Sequence, residues 1–151
     1  MSYWRLFYHL VWATREREPW LNGEIERMVY GVILGKAADL GVVVHQIGNA
    51  DDHIHVLTSI PPRIAIADCA RHLKGASAHY VNNSRAIDWH FQWQEGYGVF
   101  SLGERSLPRA VAYVAHQRVH HAEGSVIQYY ERIHEDDDAT PGPERDTISG
   151  A

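Results

Sequence analysis

The stretch NADDHIHVLTSIPP, residues 49–62, places two histidines one residue apart inside an apolar run, directly after two aspartates. In a β-strand, residues two apart project to the same face, so His53 and His55 can converge on one ligand. Two neutral imidazoles buried side by side both need polar partners. The pattern therefore has two interpretations: a divalent metal site, or a polar sheet face that is partly exposed to water.

A second group of polar residues lies in RAVAYVAHQRVHH, residues 109–121. Tyr113 is either an amphipathic tyrosine at a helix–sheet boundary or a functional phenol. Gln117, one helical turn later, supplies an amide oxygen that can join two imidazoles on a divalent cation and leave positions open for a phosphate. A phenol aligned beside such a cation is suited to nucleophilic attack at phosphorus. The helical period predicts one polar face and one apolar face, with Arg109, Tyr113, Gln117 and His120 on the first and Val111, Val114 and Ala115 on the second.

The elements that must position these residues alternate along the chain. Alternating and β-branched residues predict strands at 3–14, 41–48, 53–60 and 97–103, of which the middle two form a hairpin. Apolar periodicity and end signals predict helices at 22–40, 64–81 and 106–121. In the second helix, Tyr80 is predicted to point inward, and Arg71 and Lys74 outward. The order β-α-β-β-α-β-α is typical of a ferredoxin-like α+β domain, an antiparallel sheet with helices on one face.

The length and composition favour a single cytoplasmic domain. The chain has 151 residues, of which 45% are hydrophobic, enough for one domain with a substantial core. No apolar run reaches the roughly 18 residues of a membrane span, and the N-terminus lacks the features of a signal peptide. Cys69 is the only cysteine, so no internal disulfide can form, as expected in a reducing compartment. The sequence therefore predicts a cytoplasmic protein without a membrane partner.

The net charge of −5 arises entirely at the end of the chain. Residues 1–132 carry 13 basic and 13 acidic side chains, whereas residues 133–151 carry one basic and six acidic ones. The latter segment is also rich in Pro and Gly and poor in large apolar residues, a composition typical of disorder. We therefore predict a domain at 1–132 and a disordered acidic tail at 133–151. The neutral charge of the domain neither indicates nor excludes a nucleic-acid partner.

Five motifs in order resemble the small single-tyrosine transposases of the HUH endonuclease superfamily, which include insertion-sequence transposases and REP-associated tyrosine transposases. The motifs are YHLVWATRER, DDHIHVLTSIPP, LKGASAHYV, WQEGYGVFSL and YVAHQRVHH, and the resemblance covers about residues 3–130. It implies that His53, His55 and Gln117 hold Mg²⁺ or Mn²⁺ and that Tyr113 is the nucleophile. Because imidazole is a soft ligand for Mg²⁺, we expect Mn²⁺ to work at least as well. His116 departs from the pattern, in which asparagine is often found.

The activity that the resemblance implies is cleavage and rejoining of single-stranded DNA by transesterification through a 5′-phosphotyrosine. It further implies that the DNA ends contain hairpins or palindromic repeats. It also implies a homodimer in which the tyrosine helix can dock on the partner's histidine pair. Candidate phosphate contacts are Arg71, Lys74 and Arg109, although a solvated helix face is the alternative interpretation of Arg71 and Lys74.

Two other classes of function fit the same residues. A zinc-dependent hydrolase would use His53, His55 and His9 around an activated water and would not need Tyr113. A REP-associated or domesticated DNA-binding protein would keep the fold without acting in transposition. The presence of both histidines together with Tyr113 and Gln117 argues against loss of the cleavage site.

Overall fold

The computed structural model describes residues 2–117, which form four strands and three α-helices in the predicted order. The strands are β1 (Phe7–Ala13), β2 (Val43–Asn49), β3 (His53–Ser59) and β4 (Gly98–Leu102), and the helices are α1 (Gly23–Leu40), α2 (Ile66–Asn83) and α3 (Leu107–Ala115). The predicted continuation of the last helix beyond residue 117 and the predicted acidic tail at 133–151 lie outside the described residues.

The four strands form one antiparallel sheet in the order β2-β3-β1-β4. β3 is a central strand, and its His55 lies opposite Val11 of β1 on one side and Gly48 of β2 on the other. This strand order, with two helical crossovers, is that of a ferredoxin-like domain. The predicted ferredoxin-like α+β fold is therefore confirmed.

Helix ends follow the predicted signals for α1, whereas the prediction of one continuous last helix over 106–121 is wrong, because α3 ends at Ala115. α1 ends at Gly41, whose φ of 75° is left-handed, and the Val42 amide donates to the Ala37 carbonyl at 2.8 Å. In α2 the buried stripe runs through Cys69, Leu73, Ser77 and Val81 at intervals of four residues. Tyr80 lies beside this stripe and is 54% exposed, so its predicted inward orientation is wrong.

The two faces of the sheet are covered by different helices. The main core joins α1 and α2 to one face through residues such as Leu10, Ile54 and Val56. The alternate residues of β3 point to the opposite face, where Leu57 packs against α3. α1 and α2 thus share one face as predicted. The prediction that the helices lie on one face is wrong for α3, which packs on Leu57 and covers the face that carries both histidines. Within residues 2–117, no helix has both the length and the apolar character needed to cross a membrane.

α3 approaches the sheet most closely at Gly48. A Cβ atom added to Gly48 would overlap the carbonyl oxygen of Val114 and lie 3.2 Å from its Cγ1 atom. A glycine inside a strand often marks such a close backbone approach. The absence of a side chain at this position therefore lets the backbone of α3 lie directly on β2, beside the position of His55.

We predict that Gly48→Ala lowers the free energy of unfolding by about 1–3 kcal/mol, because α3 must move to accommodate the new methyl group. Urea denaturation measures this change, and hydrogen exchange should be faster in α3 than in the wild type. Gly35→Ala in α1 is the matched control, since its added Cβ has no neighbour within 4 Å among the described residues outside its own helix. It should leave stability unchanged or raise it by up to about 1 kcal/mol. Wild-type stability of Gly48→Ala would contradict the close approach.

Candidate active site

The two histidines of the HIH motif lie side by side under α3. Their rings project from the same face of β3, with centroids 5.1 Å apart. His53 is 3% exposed and His55 is fully buried. The predicted shared orientation is therefore observed. The alternative of a partly exposed polar face is not, because α3 covers this side of the sheet.

The His53 ring is held by the residue before it. His53 Nδ1 donates a hydrogen bond to Asp52 Oδ1 at 2.7 Å. Because a carboxylate can only accept, this bond assigns the proton to Nδ1 and leaves Nε2 as the nitrogen that can bind a cation. The hydrogen bond from His53 is the main cause that lowers the pKa of Asp52 below its usual range, and Arg17, 3.7 Å away, adds to the effect. Sequence reasoning missed Asp52 as a positioning residue, although it directly precedes the motif.

The His55 ring is held from the neighbouring strand. His9 of β1 is fully buried, and its Nε2 lies 2.7 Å from Nδ1 of His55. The two ring centroids are 4.9 Å apart, and the His9 ring also packs against Phe100 of β4 at 5.9 Å. Both histidines of the motif therefore use Nδ1 for a protein contact, and Nε2 is the other ring nitrogen of each.

Tyr113 of α3 lies beside His55 of the same chain. The centroids of the two rings are 6.2 Å apart, and the rings are nearly perpendicular at 82°. The tyrosine is only 3% exposed and packs in a cluster with Leu57, Ala110 and Val114. The predicted separation of Tyr113 from Val114 is therefore wrong, because both residues face the sheet. Arg109 is exposed, as expected for the polar face. Ala115 is also exposed, although the helical period predicts it on the apolar face.

The chain turns between Tyr113 and Gln117. α3 ends at Ala115, and His116 leaves the helix with φ −111° and ψ 31°. The His116 imidazole donates to the Ala112 carbonyl at 2.9 Å, so the residue that departs from the family pattern stabilises the end of α3. Gln117 is buried, at 1% exposure. His120, predicted on the same helix face, lies outside the described residues.

The donor types present fit a divalent cation better than a three-histidine zinc site. His53 and His55 are two imidazole donors on one strand, and the buried amide of Gln117 is an oxygen donor of the kind that hard cations accept. Between residues 2 and 117, no group of three or more His, Cys, Asp or Glu side chains is placed to hold a metal. His9 does not complete a zinc site because its Nε2 contacts the other nitrogen of His55.

The predicted phosphate contacts lie in three different settings. Arg109 is exposed in the first turn of α3, on the same side of the sheet as the histidines. Arg71 is exposed on α2, across the sheet, and pairs with Asp68 at 3.3 Å.

Lys74 is half-buried rather than solvated, and its Nζ donates to the carbonyls of Gln94 and Gly96 at 2.8 and 2.7 Å. Burial lowers the pKa of Lys74. Its outward orientation was therefore predicted wrongly, because the long side chain reaches back to the 94–96 loop.

We predict that Lys74→Met lowers the free energy of unfolding by about 1–3 kcal/mol, because two backbone carbonyls lose a charged donor. Arg71→Met, the matched control on the same helix, should change it by less than about 0.5 kcal/mol, since an exposed ion pair contributes little. Urea denaturation of the two variants measures the difference. Equal effects would show that the Lys74 contacts do not stabilise the loop.

Comparisons with known proteins identify the family of the chain. Residues 2–117 match the family model described as Transposase IS200 like. The chain is 29% identical over 119 residues to the ISDra2 transposase TnpA of Deinococcus radiodurans, a match covering 76% of this chain and 85% of that protein. It is 31% identical over 121 residues to the transposase for insertion sequence element IS200 of Salmonella typhimurium, covering 76% of this chain and 78% of that protein.

Two solved structures share the fold. The REP-associated tyrosine transposase bound to a REP hairpin has a TM-score of 0.61 at 16% identity, covering 99% of this chain and 87% of that one. A Deinococcus radiodurans R1 protein described as a transposase has a TM-score of 0.59 at 24% identity, covering 78% of this chain and 95% of that one. The matched family region includes every strand and helix described above, and the chain therefore belongs to the IS200-like transposase family.

Proposed function

We propose that this transposase cleaves and rejoins single-stranded DNA through a covalent bond between Tyr113 and a 5′ phosphate. The observation that carries the proposal is the position of the Tyr113 ring, 6.2 Å from the ring of His55 and on the same buried face as His53. Packing alone does not require a tyrosine beside two imidazoles that are held at Nδ1. A phosphoryl-transfer site requires both a nucleophile and a group that stabilises the developing charge.

The proposed reaction exchanges one phosphodiester for another. The Tyr113 hydroxyl loses its proton as its oxygen bonds to phosphorus, and the bond from phosphorus to the 3′ oxygen breaks. The departing 3′ oxygen takes up a proton and leaves as a hydroxyl. The phosphotyrosine retains the energy of the broken bond, so a 3′ hydroxyl of another strand can reverse the step without a nucleotide cofactor. Cleavage and joining therefore use the same residues.

The residues that would hold Mg²⁺ or Mn²⁺ are His53, His55 and Gln117. When bound, the ion supplies Lewis-acid stabilisation of the charge that develops on the scissile phosphate. The role of the protein is positional. Asp52 fixes the His53 ring, and the docking of α3 fixes the distance between Tyr113 and the histidines.

The proposed substrate is a single strand next to a DNA hairpin or palindromic repeat, as the sequence resemblance implies. A protein of the same fold has been solved bound to a REP hairpin, which supports this choice. Because His53, His55, Tyr113 and Gln117 are at most 3% exposed, the site must open before a strand can reach Tyr113. Arg109, exposed at the start of α3, is the best-placed of the three proposed phosphate contacts.

We further propose a homodimer that works in the cytoplasm. The described chain places Tyr113 beside its own His55, which is a cis arrangement. Each subunit of the proposed dimer would therefore use its own tyrosine, in contrast to the docking on the partner's histidine pair that the sequence resemblance implies.

We predict that Tyr113→Phe abolishes covalent attachment to DNA while folding and DNA binding persist, because the ring is kept and only the attacking oxygen is removed. The assay incubates the protein with labelled single-stranded DNA and Mn²⁺ and looks for a band that survives denaturing electrophoresis. Tyr80→Phe, exposed on the far side of the sheet, is the matched control and should keep the wild-type yield. An undiminished band with Tyr113→Phe would assign the nucleophile to another residue.

We predict that His53→Ala and His55→Ala each reduce Mn²⁺-dependent adduct formation at least 100-fold, whereas Gln117→Ala reduces it less, because water can replace one oxygen ligand. In a titration with Mn²⁺, Gln117→Ala should reach half-saturation at a higher Mn²⁺ concentration than the wild type. His79→Ala, on the exposed surface of α2, is the control. Wild-type metal dependence in the double variant lacking both histidines would contradict the assigned site.

A further inference from the structure

A second histidine pair lies behind the HIH motif. His9 and His55 lie on neighbouring antiparallel strands, and their facing nitrogens, Nε2 of His9 and Nδ1 of His55, are 2.7 Å apart. Both side chains are fully buried. A hydrogen bond between two buried imidazoles is an unusual element of a sheet, and the transesterification described above assigns His9 no part.

We propose that His9 is a positioning residue that fixes the ring orientation and the tautomer of His55, so that His55 presents an unprotonated Nε2 toward the site under α3. The use of Nε2 as a ligand atom rests on the proposed function. The geometry of the His9–His55 pair does not. Sequence reasoning considered His9 only as a third zinc ligand, and its bond to His55 gives it a different role.

The proposed ligand role of His55 determines which nitrogen donates. Each neutral imidazole carries one proton, and one proton occupies the N···N bond between the two rings. If His55 is to bind a cation through Nε2, its proton must be on Nδ1, so Nδ1 donates to Nε2 of His9. His9 then carries its own proton on Nδ1. The opposite assignment would protonate Nε2 of His55 and block it as a ligand.

The surroundings keep His9 in place. Its strand is paired on both sides, with Leu57 of β3 opposite His9 on one side and Phe100 of β4 on the other. The ring of Phe100 packs edge-on against the imidazole, with centroids 5.9 Å apart. A buried ring confined in this way is a more rigid acceptor than a water molecule would be. It therefore restricts rotation of the His55 ring about χ2.

The parallel with His53 supports this role. Asp52 accepts a hydrogen bond from Nδ1 of His53, and we assign His9 the same function toward Nδ1 of His55. Partners of this kind behind ligating histidines hold the ring and raise its basicity, and their removal weakens metal binding by roughly 10- to 100-fold. The two partners differ in charge, so the site contains one carboxylate-backed and one imidazole-backed histidine.

The first experiment reads the tautomer directly in the wild-type protein. Long-range ¹⁵N–¹H NMR correlation of the histidine rings, recorded without metal or DNA, should show His55 and His9 both protonated at Nδ1. This measurement requires no variant and no activity. A His55 protonated at Nε2 would overturn the proposal even if Tyr113 proves to be the nucleophile.

The second experiment compares His9→Leu with His9→Gln. The leucine variant cannot accept a hydrogen bond, so His55 should lose its single tautomer and Mn²⁺ affinity measured by calorimetry should fall by roughly 10- to 100-fold. The glutamine variant offers an amide oxygen as acceptor and should restore both readouts at least in part. His45→Leu is the control, because that imidazole lies on the same face but bonds to Ser59 at 2.7 Å.

Unchanged Mn²⁺ affinity and tautomer in His9→Leu would show that His9 is only a packing residue. A complete loss of binding in both His9 variants, with the fold intact, would instead identify His9 as a direct ligand and overturn the positioning role. If His9→Leu fails to fold, the tautomer of the wild-type protein and the Mn²⁺ affinity of His9→Gln still test the positioning role. Normal results in both experiments without any DNA adduct would contradict the proposed function alone.

Discussion

The close contact between α3 and the sheet at Gly48 is the constraint on which the site depends. The carbonyl oxygen of Val114 occupies the space that a side chain at residue 48 would need. Gly48 is also the β2 residue opposite His55, so this glycine lies next to one of the two site histidines. Because Tyr113 directly precedes Val114, the same contact brings the phenol over the imidazole. A larger residue at 48 would move Tyr113 away from the histidines.

The second requirement is that Nδ1 of each buried imidazole be held by a protein partner. Asp52, in the turn before β3, is hydrogen-bonded to His53, and His9, on the neighbouring strand, is hydrogen-bonded to His55. The turn itself is fixed, since the Asp52 carbonyl accepts the backbone amide of Thr14 at 2.9 Å. A hydrogen bond inside the low-dielectric interior is electrostatically stronger than one in water, so these two contacts restrict the ring orientations. The sheet thus provides both stability and a single presentation of the two Nε2 atoms.

Local pattern was sufficient to predict the elements and the shared face of the histidines. A period of two on β3 gives the orientation of His53 and His55 directly, and Gly41 ends α1 as its type predicts. The types and spacing of Tyr113 and Gln117 suggested a phenol beside a cation, and the family resemblance made these roles specific. The helical period could not predict what each face of the helix packs against. The same limitation explains why Tyr113 was predicted on a polar face although it is buried beside Val114.

Contacts between residues distant in sequence were not predictable. Lys74 reaches the carbonyls of residues 94 and 96, and His9 reaches a ring 46 residues later, and neither contact leaves a periodic signal. Gly48 could have been recognised only as an unusual residue in a strand. The covering of the histidine face by α3 likewise follows from the position of Leu57 and Val114 in three dimensions.

The most direct test of the account mixes two inactive chains. His53→Ala retains the tyrosine, Tyr113→Phe retains both histidines, and unfolding and refolding them together allows any subunits to exchange. Because the structure unites Tyr113 with the histidines of its own chain, the mixture should form no more DNA adduct than the two variants do separately. Recovery of adduct in the mixture would show that the tyrosine of one chain acts with the histidines of another, and would contradict the site as described.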